Sequence, residues 1–380
     1  MEKKGRLFEL DILRGIAFIL VVIQHTLGGY SFSKDISIQN LLISRFIYVI
    51  GESAVPIFLA LTAIVLLYTY YDKFNVKEFY IKKLQYIVIP YIVCSFLNII
   101  LLHKEKLNDF AAQLVTGNSS YQLWYMALII RLYLSFPLIL FFTRKINKMN
   151  FLLKLSFLIL YIIGYYFILK NNNYISNYIG KLIFRTPTEL QQKFIDVTPL
   201  FWSLYFVIGA YIILSYNNFK IIIIRYKKSI FFVYTVVLSY YFYIETNDVF
   251  KNSIIFTEFN IIIHIIFNVM SLIIFFILSI YVETNTKFFS KYFKFIGKYS
   301  FPSYMLHIIL LQELVFYIPQ TKHIYSPITL LLMTISLSPF ICYIINLLPY
   351  SEYILGVKSK KPLIYTKISS EIERYFNTFF

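Results

Sequence analysis

Runs of about 20 apolar residues recur along this chain, separated by short charged stretches. A helix of that length spans the roughly 30 Å hydrocarbon core of a bilayer. Hydrophobic residues make up 59% of the 380 and charged residues only 14%, more apolar surface than a soluble domain buries. The expected fold is therefore all-α, a polytopic helical membrane protein. Ten spans fit the pattern, near 10–30, 47–70, 85–102, 121–143, 151–169, 197–215, 229–244, 260–282, 299–318 and 327–348. Pro56, Pro90 and Pro137 are placed to kink their helices.

The formal net charge of +17 does not mark a nucleic-acid surface, because the basic residues sit in alternate loops rather than in one patch. Lys3, Lys4 and Arg6 precede span one. Lys73, Lys77, Lys82 and Lys83 follow span two; Arg144, Lys145, Lys148 and Lys154 follow span four. Lys220, Arg225, Lys227 and Lys228 follow span six; Lys287, Lys291, Lys294 and Lys298 follow span eight. Lys358, Lys360, Lys361, Lys367 and Arg374 lie in the tail. These regions hold 24 of the 36 basic residues and fall on one side if the span count is ten. The positive-inside rule then makes both termini cytoplasmic. Residues 1–350 read as a single transmembrane domain and 351–380 as a basic cytoplasmic tail. The segment ISSEIERYFNTFF in that tail fits either a short amphipathic helix or a disordered end. Residues 170–196 form the longest external loop, polar and Asn-rich. The first span lacks a small-residue cleavage site and is not expected to be a cleaved signal. Cys94 and Cys342 lie inside spans and are expected to be packing residues. Abundant Ile, Lys, Asn, Tyr and Phe suggest an AT-rich, low-GC bacterial genome, hence a bacterial cytoplasmic membrane.

Ionisable residues inside the spans are the functional candidates, since each is costly in lipid. Arg14 and His25 lie in the first span, and eleven residues at about 100° each return His25 to nearly the face of Arg14, roughly 16 Å further along. Arg14 either snorkels to inner headgroups beside Asp11 or clamps an anionic group such as the phosphates of an acyl carrier. His25 is either an interhelical hydrogen-bonding residue or a general base. Glu52 reaches about the depth of His25 and either orients that imidazole or faces interfacial water. Arg131 is mid-span and must face the bundle interior or a wet cavity, with Glu313 as one conceivable partner. His264 and His307 are intramembrane and fit packing or hydrogen bonding better than catalysis; His103 and His323 are in loops. No metal-ligand spacing, phosphate-cradling glycine loop or serine elbow is present.

LDILRGIAFILVVIQH resembles the opening signature of the membrane acyltransferase-3 family: Leu-Asp-x-Leu-Arg-Gly, then an apolar run with arginine and histidine separated by ten positions. ESAVPIFLALTAIVLLY resembles the second span of the family, with its usual Phe-Phe-x-Leu-Ser-Gly core degraded. KKLQYIVIPYIV resembles the basic-then-proline start of the third span, though Lys82, Lys83 and Gln85 stand where arginines are frequent. YQLWYMALIIRLYLSFPLI, with Trp124, resembles the Leu-Trp-Phe-type segment. LYFVIGAYI and FIGKYSFPSYMLHIILL, with His307, resemble the later Gly-x-Tyr and Leu-His segments. The resemblance covers about residues 7–350. Within the family, YIVIPYI, LWYM and LYFVIGAYI look closest to the intercellular-adhesion protein C branch, associated with succinylation of poly-N-acetylglucosamine.

The resemblance implies acyl transfer, usually of acetyl from acetyl-CoA, to hydroxyls of a surface polysaccharide or glycolipid. Succinyl-CoA is the other donor considered; either acyl-CoA is a co-substrate, and no bound cofactor is expected. The donor phosphates are assigned to Arg14, Lys82 and Lys83, and removal of the hydroxyl proton to His25, with Glu52 as its partner. Arg131, Trp124 and His307 are candidates for the oxyanion or acceptor site. The rival expectations are a glycan exporter or lipid-linked sugar flippase, and a non-catalytic partner of glycan synthase machinery.

Overall fold

The computed structural model describes residues 5–33, 35–247 and 258–359, and every regular element among them is helical. In chain order these are α1 (Phe8–Ser31), α2 (Ile38–Gly51), α3 (Ala54–Tyr70), α4 (Val76–Lys83), α5 (Ile89–Leu102), α6 (Phe110–Thr116), α7 (Trp124–Leu134), α8 (Phe136–Asn147) and α9 (Phe151–Lys170). There follow α10 (Asn172–Phe184), α11 (Glu189–Asp196), α12 (Ser203–Leu214), α13 (Tyr216–Arg225), α14 (Lys227–Glu245), α15 (Glu258–Asn285), α16 (Lys287–Tyr317), α17 (Tyr325–Ile345) and α18 (Glu352–Leu355). The segment ISSEIERYFNTFF and most of the basic tail lie outside the described residues.

All ten expected segments are helical, but apolarity and length support fewer than ten spans. Among the described residues seven helical stretches are long and apolar enough to cross a membrane, and Lys104–Leu134 with Phe136–Asn147, bent by 62°, makes an eighth. The segments at 229–244 and 299–318 lie on α14 and α16, which are too polar to qualify. α14 is rich in tyrosine, and α16 carries His307, Gln312, Glu313 and several serines. Both nevertheless run the length of the bundle. The far end of α14 meets α2 through Arg45, which donates to the Glu245 carbonyl at 2.9 Å. α16 starts beside Glu283, with Lys294 2.6 Å from its carboxylate, and the chain beyond its end meets Tyr30, whose hydroxyl donates to the Lys322 carbonyl at 2.8 Å.

Contacts collect the basic regions at one end. Lys220 pairs with Glu9 at 2.5 Å, the Tyr68 hydroxyl donates to the Gly5 carbonyl at 2.7 Å, and Arg144 Nε donates to the Tyr71 carbonyl at 3.0 Å. The start of α1, the α3–α4 turn, the end of α8, α13 and the α15–α16 turn therefore share that end, as the charge alternation requires. Pro56 in α3 and Pro137 in α8 each sit in the first turn of a helix after a break, and Pro90 is the second residue of α5 in a helical stretch that runs unbroken from α4. Proline donates no backbone N–H and is tolerated in a first turn. Ahead of Pro90 the chain makes a π-helical turn over Leu84–Val88.

Residues 170–196 are helical rather than a loop. Thr188 and Gln191 form a capping box at the start of α11, and Gln192 donates to Ser176 at 2.8 Å, tying α11 back to α10.

α1 is the central element, packed against α2, α3, α15, α16 and α17. Its buried face includes Ile12, Leu13, Ala17, Phe18 and Val22. The closest approach is to α16: a Cβ built on Gly297 would stand 1.9 Å from the Asp11 carbonyl oxygen, so only glycine permits this crossing. α12 meets α3 in the same way, where a Cβ on Gly209 would stand 2.3 Å from the Ala60 carbonyl oxygen. The periphery is apolar instead. α9 buries only Tyr165 and exposes Phe151, Leu152 and Leu160, the pattern of a lipid-facing helix.

Candidate active site

Arg14 and His25 both face α16, so the stripe expected on the first helix meets one partner along its length. Near the basic end, Arg14 lines a cavity of about 290 Å³ with Lys83, Lys298, Tyr125, Tyr133 and Tyr304. Among the described residues three helices each contribute one cation to the lining, and none contributes a carboxylate. Asp11 stands behind Arg14, its Oδ1 3.4 Å from Nη1, while its Oδ2 holds Arg6 at 2.7 Å. The Lys83 ammonium stands 4.3 Å from the Tyr133 ring centre, a cation–π contact that seats it toward the cavity. Gly356 and Val357, just past α18, form part of the wall.

Further along the stripe, the His25 ring lies 5.2 Å from the His307 ring, centre to centre, tilted by 38°. Tyr121 covers another side of His25 at 5.0 Å, edge to face. His25 is half-buried and His307 fully buried. The His25 ring therefore faces protein, within reach of other polar rings, rather than lipid tails.

Tyr304 connects the two regions. Its ring lines the cavity, stands 5.7 Å from Tyr125 and 5.9 Å from His307. Its hydroxyl donates to the Gln122 carbonyl. Behind it, Gln122 Nε2 donates to Asn98 Oδ1 at 3.2 Å, and Asn98 Nδ2 donates to the carbonyls of Cys94 at 2.8 Å and Met305 at 3.1 Å. Ser120 Oγ donates to Gln122 Oε1 at 2.6 Å. These bonds between buried side chains hold α16, α5 and the turn before α7 in one register.

Several expected members stand elsewhere. Glu52 has the expected depth, since Gly51 packs against Leu20, Ile23 and Gln24 of α1. Its carboxylate, however, accepts from the Tyr241 hydroxyl of α14 at 2.6 Å, and no contact joins it to His25 among the described residues. Depth fixed the layer but not the direction of the side chain. Lys82 pairs with Glu78 at 2.5 Å on the exposed side of α4, one residue and about 100° of helix away from Lys83, and does not line the cavity. Arg131 is spent on carbonyls: Nη1 donates to Phe194 at 2.6 Å and Val197 at 2.5 Å, Nη2 to Val115 at 3.0 Å, and its guanidinium lies 4.1 Å from the centre of the Phe194 ring. That clamp braces α11 and α6 and leaves little donor capacity for an oxyanion; Glu313 is exposed and does not pair with it. Trp124 packs on Trp202 at 5.2 Å, with no contact to either imidazole among the described residues. His264 bonds its own helix through Asn268, at 3.1 Å.

Other participants were not singled out from sequence. Lys298 resembled one more loop charge. Tyr121, Tyr125 and Tyr304 are three of 35 tyrosines and carried no distinguishing signal.

No curated protein and no solved structure matches the chain. A family model described as an acyltransferase domain matches residues 7–347, nearly the whole chain and every helix that builds the cavity up to the end of α16. With a cation-lined cavity at one end of α1 and an imidazole pair further along, the chain belongs to the membrane acyltransferase-3 family and is a membrane-embedded acyltransferase.

Proposed function

We propose that the protein moves an acetyl or succinyl group from a cytoplasmic acyl-CoA to hydroxyls of a surface polysaccharide or lipid-linked glycan. The observation that carries this reading is the cavity beside Arg14. Among the described residues three cations and no carboxylate line it, and Tyr304 joins its wall to the His25–His307 pair. Cations gathered in a low-dielectric bundle favour an anionic occupant. Arg14, Lys83 and Lys298 would hold phosphate oxygens, and the basic end would face the cytoplasm by the positive-inside rule. A cavity of about 290 Å³ takes part of such a carrier, since pockets for drug-sized ligands run from about 300 to 1,000 Å³.

His25 would take the proton of the acceptor hydroxyl as its oxygen bonds to the acyl carbon. The carbon–sulfur bond then breaks, and the departing thiolate receives the proton. The likeness of several segments to the intercellular-adhesion protein C branch favours succinyl and poly-N-acetylglucosamine within this class. It also suggests work beside glycan synthase machinery in a bacterial plasma membrane. The exporter and flippase readings give way to the family match, which carries acyl-transfer chemistry.

The test supplies membranes containing the protein with radiolabelled acetyl-CoA or succinyl-CoA and a poly-N-acetylglucosamine acceptor. Alkali-labile label on the glycan, with one donor strongly preferred, is the expected result. No label above protein-free membranes with either donor contradicts the proposed donor and acceptor.

A further inference from the structure

His307 Nδ1 lies 2.7 Å from the Tyr304 carbonyl oxygen one turn earlier in α16. A carbonyl only accepts, so this nitrogen carries the proton, and in the neutral ring the lone pair is on Nε2. His307 is fully buried, and its Nε2 has no hydrogen-bond partner among the described residues. A buried acceptor left unmatched is destabilising, so such an atom calls for a partner. The neighbouring group with hydrogen-bonding capacity to spare is His25. Its ring makes no hydrogen bond among the described residues and sits 5.2 Å away, centre to centre. At that separation a His25 N–H turned along the line between the ring centres would stand about 3 Å from a His307 Nε2 on the same line, ordinary hydrogen-bond length.

We infer that His307 is the positioning residue for His25, in the role that a carboxylate fills in a hydrolase triad. His307 Nε2 accepts the N–H of His25, which fixes the His25 tautomer and turns its other nitrogen, as a lone pair, toward the acceptor hydroxyl. When that nitrogen takes the hydroxyl proton, the imidazolium formed keeps its N–H on His307. The proton then passes to the departing thiolate, and His25 returns to neutral while His307 stays neutral throughout. Tyr304 sets this up twice, through the carbonyl that fixes the His307 tautomer and through the hydroxyl that anchors α16 to Gln122. The inference rests on the proposed role of His25 as the base.

The experiment compares His307→Phe, which fills the same space without an acceptor, with His307→Gln, which restores one. Both are purified in detergent, checked by thermal melting and assayed for acyl transfer. The expected result is a kcat about 100-fold lower in His307→Phe with donor KM unchanged, and recovery of at least tenfold of that loss in His307→Gln. A folded His307→Phe enzyme with wild-type kcat overturns the inference, as does an equal loss in both folded variants. Imidazole 15N shifts of the wild-type protein, labelled at histidine, test the arrangement without substitution: His307 protonated at Nδ1 supports it, and protonation at Nε2 overturns it. If His25→Ala abolishes transfer while His307→Phe does not, the positioning role alone fails. Wild-type transfer by His25→Ala removes the base and this inference together.

Discussion

Asp11 holds Arg6 at 2.7 Å and Arg14 only at 3.4 Å, so the guanidinium that lines the cavity keeps most of its hydrogen-bonding capacity for a ligand. A hydrogen bond to a charged group contributes about 1.5–3 kcal/mol. Arg14→Ala is therefore expected to raise the donor KM about 10- to 100-fold with a smaller change in kcat. Arg14→Lys should recover part of that loss, because lysine supplies the charge without the planar fork. Titration of donor in a transfer assay reads both constants.

Lys83 and Lys82 are adjacent in sequence and opposite in placement. Lys83→Ala removes a cation from the cavity wall and is expected to raise the donor KM roughly 10-fold by the same charged-bond scale. Lys82→Ala breaks only an exposed pair with Glu78, worth well under 1 kcal/mol, and should leave KM within about twofold of wild type. The two single variants in one assay settle the contrast.

Much of this arrangement was legible in the sequence, and the remainder was hidden for a definite reason. Arg14 and His25 stood out because charge and imidazole interrupt an apolar run, and their spacing put them on one face. The helices followed from hydropathy. Depth along a span can be counted from residue number, but the direction of a side chain around its helix axis depends on which helices pack together. Glu52 was thus placed in the correct layer and given the wrong neighbour: Tyr241 of α14 holds it, and His307 of α16 stands where it was expected. α14 and α16 fall short in apolarity because of their polar side chains, of which Tyr234 and Tyr241 of α14 and Ser300, Ser303 and His307 of α16 are buried in the bundle. The α10–α11 hairpin was masked by its Asn-rich composition, although Thr188 and Gln191 carry the spacing of a capping box.

The bond from Tyr241 to Glu52 joins α14 to the α2–α3 junction. Tyr241→Phe removes the donor from a half-buried carboxylate and is expected to cost about 1–3 kcal/mol of stability. Because Glu52 does not touch His25, kcat of the folded fraction should stay near wild type. A thermal melt in detergent paired with a kcat measurement distinguishes this bracing role from a catalytic one.

Gly297 sets the distance between α1 and α16, on which both the cavity and the imidazole pair depend. Gly297→Ala places a methyl carbon within 1.9 Å of the Asp11 carbonyl oxygen unless the helices separate. Overpacking of this kind costs about 1–3 kcal/mol and sometimes more. The expected outcome is a lower melting temperature and loss of transfer, whereas Gly164→Ala, with nothing within 4 Å of the added carbon, should match wild type in both.

The most direct test of the account is the ester content of the surface glycan in cells whose only copy of the protein carries His25→Ala, with membrane insertion verified. The account predicts glycan of unchanged amount and chain length that has lost its acyl esters. Ester content per sugar equal to wild type, with or without a fall in exported polymer, would contradict it.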